Sequence, residues 1–146
     1  MSPSIHNARQ AGAKGAHVTN RISIMVVSGS HEKLQMAAMV ASVGAVSGND
    51  VRIFVSMNAL AFFVKGEERN APPEGVVGNL LESKNAPSFL ELFRQAVELG
   101  DAKIYPCSMA MDLLQLDEDA LWPYVGESMG LTKFLGDASE GQVWTF

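Results

Sequence analysis

Residues 21–56, "RISIMVVSGSHEKLQMAAMVASVGAVSGNDVRIFVS", have the pattern of a strand, a helix and a second strand. Residues 22–27 form an almost unbroken apolar run, which is typical of a strand that is covered on both faces. Ser30 is a candidate N-cap for a helix over residues 31–47, and Gly48 is a natural residue just past its end. A second apolar run, "DVRIFVS", follows at once. The stretch therefore predicts two parallel strands that are joined by a helix.

The helix in this stretch carries small residues on more than one side. They are Ala37, Ala38, Ala41, Ser42, Gly44 and Ala45. Small side chains allow close approach, so we expect neighbouring elements to cover this helix on several sides. A sheet covers one side, and two candidates remain for another. One is a second subunit, which predicts a homo-oligomer, and the other is the rest of the same chain in a tightly packed monomer.

Downstream, strands and helices continue to alternate. The segment "NALAFFVKG" predicts a helix with Asn58 as its N-cap and Gly66 as its end. After a long connection, Ser88 and Glu91 have the spacing of a capping box and open another helix. The segments "AKIYP", "YVGES" and "QVWTF" predict three further strands, with short helices between them. Together these elements predict an α/β fold, a three-layer α/β/α sandwich around a mostly parallel sheet of about five strands.

Length and composition predict a single domain over residues 21–146, preceded by a flexible polar leader over residues 1–20. A net charge of −5 without a concentrated basic patch argues against nucleic-acid binding. No apolar run is long enough for a transmembrane segment, and the N-terminus lacks the apolar middle of a secretory signal. We therefore expect a cytoplasmic protein. His6 and His17 lack the spacing of metal ligands, and we expect neither a metal nor a cofactor.

Candidate site residues follow three of the predicted strands. The carboxyl ends of parallel strands meet at one edge of the sheet, where ligands bind in such folds. Gly29, Ser30 and His31 follow the first strand, Asn58 follows the second, and Cys107 follows the third. Backbone N–H groups around Gly29 and Ser30, at the start of a helix, suit an anion. These residues match neither a Walker motif nor the dinucleotide-binding fingerprint, so an ordinary tight turn is the better explanation for them.

Cys107, the only cysteine, stands at the start of a predicted short helix, "SMAMDLLQ". The partial positive charge of a helix N-terminus lowers a thiol pKa and favours the nucleophilic thiolate. Asp112 opposes that effect, and His31 is an available base only if the two loops are neighbours. The N–H groups after Cys107, beginning with Ser108, are candidates for stabilising an anion, and Met109 for lining a soft pocket. The residues alone leave open whether Cys107 is a nucleophile or a buried structural thiol.

The cysteine loop and the order of the elements around it resemble a known family. Residues 107–112, "CSMAMD", resemble the C-x-M-x-M-D loop of a subgroup of the DsrE/DsrF-like sulfur-relay proteins. The opening stretch and "NAPSFLELFRQAVELGDAKIYPC" resemble the same family, so the resemblance covers nearly all of residues 21–146. The chain departs from the pattern at Pro106 and Ala110. It also has "SMNAL" in place of an aromatic-glycine loop.

This resemblance implies a DsrE/DsrF-like fold, an oligomer, and a cysteine that carries sulfur as a persulfide or thiosulfonate adduct. The sulfur-carrying role then falls on Cys107, and the implied partners are sulfur donor and acceptor proteins or small thiols. We therefore expect a cytoplasmic sulfur carrier or sulfurtransferase-like protein, and whether it turns over a substrate stays open. The alternative is a non-catalytic oligomer that binds a small ligand or acts as a scaffold, with a structural cysteine.

Overall fold

A computed structural model describes residues 20–66 and 69–146. Within these residues the sheet has four strands: β1 (Arg21–Val26), β2 (Asp50–Val55), β3 (Lys103–Pro106) and β4 (Gly141–Thr145). They lie in the order β3-β2-β1-β4, and every neighbouring pair is parallel. The predicted α/β class with a mostly parallel sheet is confirmed. The predicted leader falls almost wholly on residues 1–19, which lie outside the described part of the chain.

The helices in the described residues lie between these strands. The α-helices are α1 (His31–Val46), α2 (Met57–Leu60), α3 (Val76–Ser83), α4 (Phe89–Gly100), α5 (Ser108–Leu113) and α6 (Leu131–Asp137). Short 3-10 turns span Ala61–Phe63, Glu118–Ala120 and Ala138–Glu140. In this part of the chain, no helix is long and apolar enough to cross a membrane.

The opening unit of β1, α1 and β2 forms as its sequence pattern predicts. β1 and β2 pair in parallel, from Arg21 beside Asp50 to Val26 beside Val55. Gly48 adopts a φ of +93° after α1, a left-handed conformation that glycine takes without steric cost. That turn reverses the chain direction and lets β2 return alongside β1.

Helices cover both faces of the sheet. On one face α1 lies very close, because a Cβ on Gly44 would sit 3.3 Å from Val51 Cγ2 and 3.4 Å from Ile22 Cδ1. On the opposite face, Phe54 of β2 stacks on Phe134 of α6 with ring centroids 4.9 Å apart. The three-layer α/β/α arrangement therefore follows from the alternation of side chains along each strand.

The expected fifth strand is replaced by an irregular segment along the free edge of β3. Gly126 N–H donates to the Ile104 carbonyl at 2.8 Å, and Met129 N–H donates to the Pro106 carbonyl at 2.9 Å. The segment therefore advances by three residues, from Gly126 to Met129, while β3 advances by two, from Ile104 to Pro106. In a regular parallel ladder both strands advance by the same number of residues. The Ser128 N–H instead donates to the Glu118 carboxylate at 2.8 Å. "YVGES" thus lies beside β3 as expected, but the prediction of a fifth strand was wrong because this contact interrupts its ladder.

Several predicted caps differ in detail. Ser30 and Ser88 occupy the N-cap positions of α1 and α4, yet neither side chain makes a capping hydrogen bond. Glu91 does not complete a capping box, because its carboxylate pairs with Arg94. The prediction of Asn58 as an N-cap was wrong: it lies inside α2, which Ser56 precedes.

Candidate functional site

Cys107 occupies the junction between β3 and α5. Its N–H donates to the Val55 carbonyl of β2 at 2.8 Å, which continues the sheet pairing by one residue. Its carbonyl accepts the Met111 N–H at 2.9 Å and so forms the first hydrogen bond of α5. Both backbone groups are therefore fixed, and the thiol-bearing residue is both the end of a strand and the N-cap of a helix.

The side chain of Cys107 is mostly enclosed, since only 5% of the residue is exposed. Ala110 and Met111 turn inward from α5 and are buried, whereas Met109 and Leu113 point outward and are exposed. In the isolated chain, the thiol is thus mostly buried at the start of a short helix whose exposed side carries Ser108 and Asp112 beside Met109 and Leu113.

Met129 is a backbone neighbour of Cys107 that the sequence pattern does not reveal. It forms an isolated parallel bridge with Cys107. Its carbonyl accepts the Ser108 N–H at 3.0 Å. That N–H, which was a candidate for stabilising an anion on Cys107, is therefore occupied in this conformation. The predicted strand "YVGES" ends directly before Met129. No sequence pattern around Met129 indicates that it pairs with Cys107.

The loop after β1 is closed by its own hydrogen bonds. Ser30 N–H donates to Ser28 Oγ at 3.1 Å, and Ser30 Oγ donates to the Glu74 carboxylate at 2.7 Å. A Cβ on Gly29 would lie 3.1 Å from Asn58 Cβ, so this glycine lets the loops after β1 and β2 approach each other. These contacts are those of a tight turn, and they use the Ser30 N–H that an anion would need.

His31 belongs to a different part of the carboxyl edge from Cys107. The sheet order places β2 between β1 and β3, which separates the two loops by about 10 Å, or two strand spacings. The His31 ring instead packs edge-on against Phe89, with centroids 5.8 Å apart. It also lines a cavity of about 320 Å³ together with Asn70 and Ser88. The condition that the loops be neighbours, on which a base role for His31 depended, is therefore not met.

The connection before α3 is fastened to the start of α1. The Glu32 carboxylate accepts N–H groups from Glu74, at 2.9 and 3.0 Å, and from Gly75, at 2.8 Å. These donors, that of Glu74 first, lower the pKa of Glu32 below its ordinary value. Near the thiol, the Ser128 N–H similarly lowers the pKa of Glu118. Both carboxylates act as fixed acceptors that hold loops in place.

Metal ligation has no visible basis in residues 20–66 and 69–146. No group of three or more histidine, cysteine, aspartate or glutamate side chains in these ranges is arranged to hold a metal ion.

A family model and a curated relative match this chain in sequence. The model of the DsrE/DsrF/DrsH-like family matches residues 73–146, which include Cys107. The uncharacterised protein YrkE of Bacillus subtilis (strain 168) is 28% identical over 157 residues, covering 88% of this chain and 97% of that protein.

Two solved structures have the same fold. The ychN protein from E. coli aligns with a TM-score of 0.57 at 18% identity, over 88% of this chain and 100% of its own. MTH1491 from Methanobacterium thermoautotrophicum, described as a protein of unknown function, aligns with a TM-score of 0.53 at 9% identity, over 87% and 99%. At these identities the two likenesses concern the fold alone.

Proposed function

Because the chain belongs to the DsrE/DsrF/DrsH-like family, we propose that it works in sulfur relay and accepts one sulfur atom on Cys107. The observation that carries the proposal is the position of this thiol. It is the only cysteine of the chain and ends a sheet strand at the edge where α/β proteins bind their ligands. Membership of the C-x-M-x-M-D subgroup, through Met109, Met111 and Asp112, is part of the same proposal.

The proposed reaction is a thiol exchange that needs no metal and no second cysteine. The Cys107 thiolate attacks the outer sulfur of a donor persulfide, R–S–SH. A new S–S bond forms on Cys107 as the bond within the donor breaks, and the donor leaves as the thiolate R–S⁻. An acceptor thiolate then attacks the outer sulfur of the Cys107 persulfide and returns Cys107 to its original state. Electrons balance in both steps without an oxidant.

The proposed reaction requires that a sulfur donor can reach the Cys107 thiol. Since Cys107 is nearly enclosed, a donor reaches its sulfur only after a local movement, and we propose that the turn of α5 is the segment that moves. α5 has only six residues, and Met109 and Leu113 on its outer side contact no core. Short, exposed segments of this kind open at low free-energy cost compared with core elements.

The surface beside the thiol suits a partner protein. Met57 of α2 is half-exposed, and α2 packs against α5, where Met109 and Leu113 are also exposed. Apolar side chains grouped in this way favour docking of another protein. We expect sulfur donor and acceptor proteins or small thiols as partners, a homo-oligomeric state, and action in the cytoplasm.

A loading and transfer assay tests the proposal. The folded chain is mixed with a low-molecular-weight persulfide, freed of excess donor, and then given an acceptor thiol. We expect one sulfur per chain to be taken up and then passed on. Cys107→Ser should take up none, while Ser108→Ala, which keeps the backbone amide, should behave like the wild type. Uptake by Cys107→Ser equal to that of the wild type would exclude Cys107 as the carrier.

A second candidate function is small-ligand binding with a structural cysteine. It is favoured by the burial of Cys107 and by the cavity of about 320 Å³, which His31, Asn70 and Phe89 line. A thiol-specific reagent separates the two functions at neutral pH. A structural thiol reacts no faster than the chain unfolds, whereas a carrier thiol reacts through local opening in the native state.

A further inference from the structure

The cavity beside His31 lies between the start of α1, the end of α3 and the start of α4. Its volume is about 320 Å³, which is at the lower end of the roughly 300–1,000 Å³ that is usual for small-molecule sites. Polar and apolar side chains both line it. A molecule of the size of a small metabolite therefore fits this space, and the lining residues indicate its chemistry.

Several hydrogen-bond donors in the lining are not used within the protein. In the described ranges, the side chains of Asn70 and Asn85 have no hydrogen-bond partner. Ser88 occupies the N-cap position of α4, but its hydroxyl makes no capping hydrogen bond. The His31 ring can also donate through an N–H group. These side chains suit a ligand that accepts hydrogen bonds.

The backbone around the cavity adds to this surplus of donors. α4 forms its first hydrogen bond from the Leu92 N–H to the Ser88 carbonyl at 3.0 Å. The three N–H groups before Leu92 therefore have no acceptor within the helix. By contrast, the last carbonyls of α3 accept the N–H groups of residues 84–86 at 2.9 to 3.2 Å. The Pro87 carbonyl accepts the Gln35 amide at 2.8 Å. A ligand at this place meets more free donors than free acceptors.

Phe89 gives the cavity a fixed apolar wall. Its ring packs edge-on with the ring of His31, at a centroid distance of 5.8 Å, and with that of Phe62, at 5.9 Å. Phe89 is buried, so its surroundings hold the ring in place. Leu81 and Leu90 also line the cavity. An apolar ligand body, aromatic or aliphatic, packs well against such a wall.

We propose that this cavity binds a small monocarboxylic acid with an apolar body, whose acid group meets Ser88 and the first N–H groups of α4. The start of a helix favours an anion, and Arg69 in the lining does so too. A single negative charge suits the cavity better than phosphate, because Glu82 also lines it and the chain carries a net charge of −5. The inference rests on the second candidate function, ligand binding in this cavity, and not on sulfur transfer by Cys107.

Titration of the isotope-labelled full chain with benzoate, followed by two-dimensional amide NMR spectra, tests the proposal. Benzoate carries one carboxylate on an aromatic ring, and benzamide is its uncharged counterpart. We expect saturable shifts with benzoate, and the largest shifts should belong to the amides of Phe89 and Leu90. Benzamide should bind about tenfold more weakly, because a hydrogen bond to a charged acceptor contributes more than one to a neutral acceptor.

Two substitutions of Ser88 and a matched serine control locate the site. Ser88→Asp places a carboxylate where the acid group of the ligand binds, and aspartate is a favourable N-cap, so the fold should stay intact. We expect no measurable binding of benzoate to Ser88→Asp, and binding about fivefold weaker than that of the wild type to Ser88→Ala. Ser83 is exposed at the end of α3 and does not line the cavity, so Ser83→Ala should bind like the wild type. The melting temperature of each variant verifies that it is folded.

Four results would overturn the proposal. Equal affinities for benzoate and benzamide would show that the cavity does not recognise an acid group. Unchanged binding of benzoate to Ser88→Asp, or largest shifts outside the start of α4, would place the binding elsewhere. Tighter binding of inorganic phosphate than of benzoate would contradict a carboxylate ligand. A wild-type dissociation constant above about 10 mM for benzoate would indicate adventitious binding only. The titration does not involve Cys107, so failure to bind benzoate and failure to take up sulfur are separate results.

Discussion

Replacing Phe134 with alanine is expected to lower the free energy of unfolding by about 4 kcal/mol. Phe134 is 1% exposed and holds α6 against the sheet by stacking on Phe54. Removal of a buried phenylalanine side chain costs about 3–5 kcal/mol, of which about 0.5–1.5 kcal/mol comes from the ring pair. A domain of this size has only about 5–15 kcal/mol of stability, so the loss is a large fraction of the total.

Urea unfolding followed by far-UV circular dichroism measures this effect. The midpoint should fall while the slope stays constant, and the melting temperature should drop by roughly 8–16 °C. Leu135→Ala is the matched control on the next residue of α6. Leu135 is exposed, so its replacement should cost less than about 0.5 kcal/mol. A double-mutant cycle with Phe54→Leu and Phe134→Leu should give a coupling of about 0.5–1.5 kcal/mol.

An equally small loss of stability in Phe134→Ala and Leu135→Ala would contradict this prediction. Such a result would mean that α6 is not docked on the face of β2 that carries Phe54. The third layer of the fold would then be absent in solution.

Three further predictions concern a close contact, a charged acceptor and a left-handed backbone position. Gly100→Ala should destabilise the fold by about 1–3 kcal/mol in thermal unfolding, because its Cβ would lie 2.8 Å from the Ala45 carbonyl carbon; an unchanged melting temperature would argue against this close packing. Glu32 has a lowered pKa, so its contribution to stability is present above its ordinary value of 4.5 and is lost as pH falls through the folded-state value. Glu32→Gln should therefore flatten the loss of stability below pH 4.5, and parallel acid profiles would contradict this. Met57 has a φ of +51°, and Met57→Gly should raise the unfolding midpoint slightly, since the left-handed conformation costs a non-glycine residue about 1–2 kcal/mol.

The core of the fold was predictable because its signals are local. Apolar runs over β1 and β2 and the glycine at position 48 defined the first β-α-β unit within one residue at each end. The strand-to-helix position of Cys107 followed from the same kind of pattern. These features depend on hydrophobic periodicity and turn chemistry, which act over a few residues.

Features that were missed depend on contacts between distant parts of the chain. The fifth strand fails because Glu118 takes the Ser128 N–H, a contact across ten residues. His31 and Cys107 lie apart because β2 lies between the strands that precede them. The sequence of neither loop indicates the order of the strands in the sheet. Met129 pairs with the backbone of Cys107 only through contacts along that edge of the sheet. Hydrophobic patterns do not encode such pairings.

The predicted capping residues occupy the right N-cap positions, but the capping hydrogen bonds expected of them do not form. Ser30 and Ser88 stand at helix starts as expected, but Ser30 donates to Glu74 and Glu91 pairs with Arg94. Charged partners, Glu74 outside α1 and Arg94 within α4, took the groups that a capping motif would use. The helix boundaries were nevertheless correct, since a polar residue before an apolar run marks them either way.

Mass spectrometry of the native chain after exposure to a small persulfide tests the sulfur-relay account most directly. We expect one additional sulfur atom, mapped to the peptide that contains Cys107 and removed by a free thiol. A native chain that stays unmodified, under conditions where the urea-unfolded chain gains the sulfur, would contradict it. The thiol would then be a packed part of the core with no role in sulfur transfer.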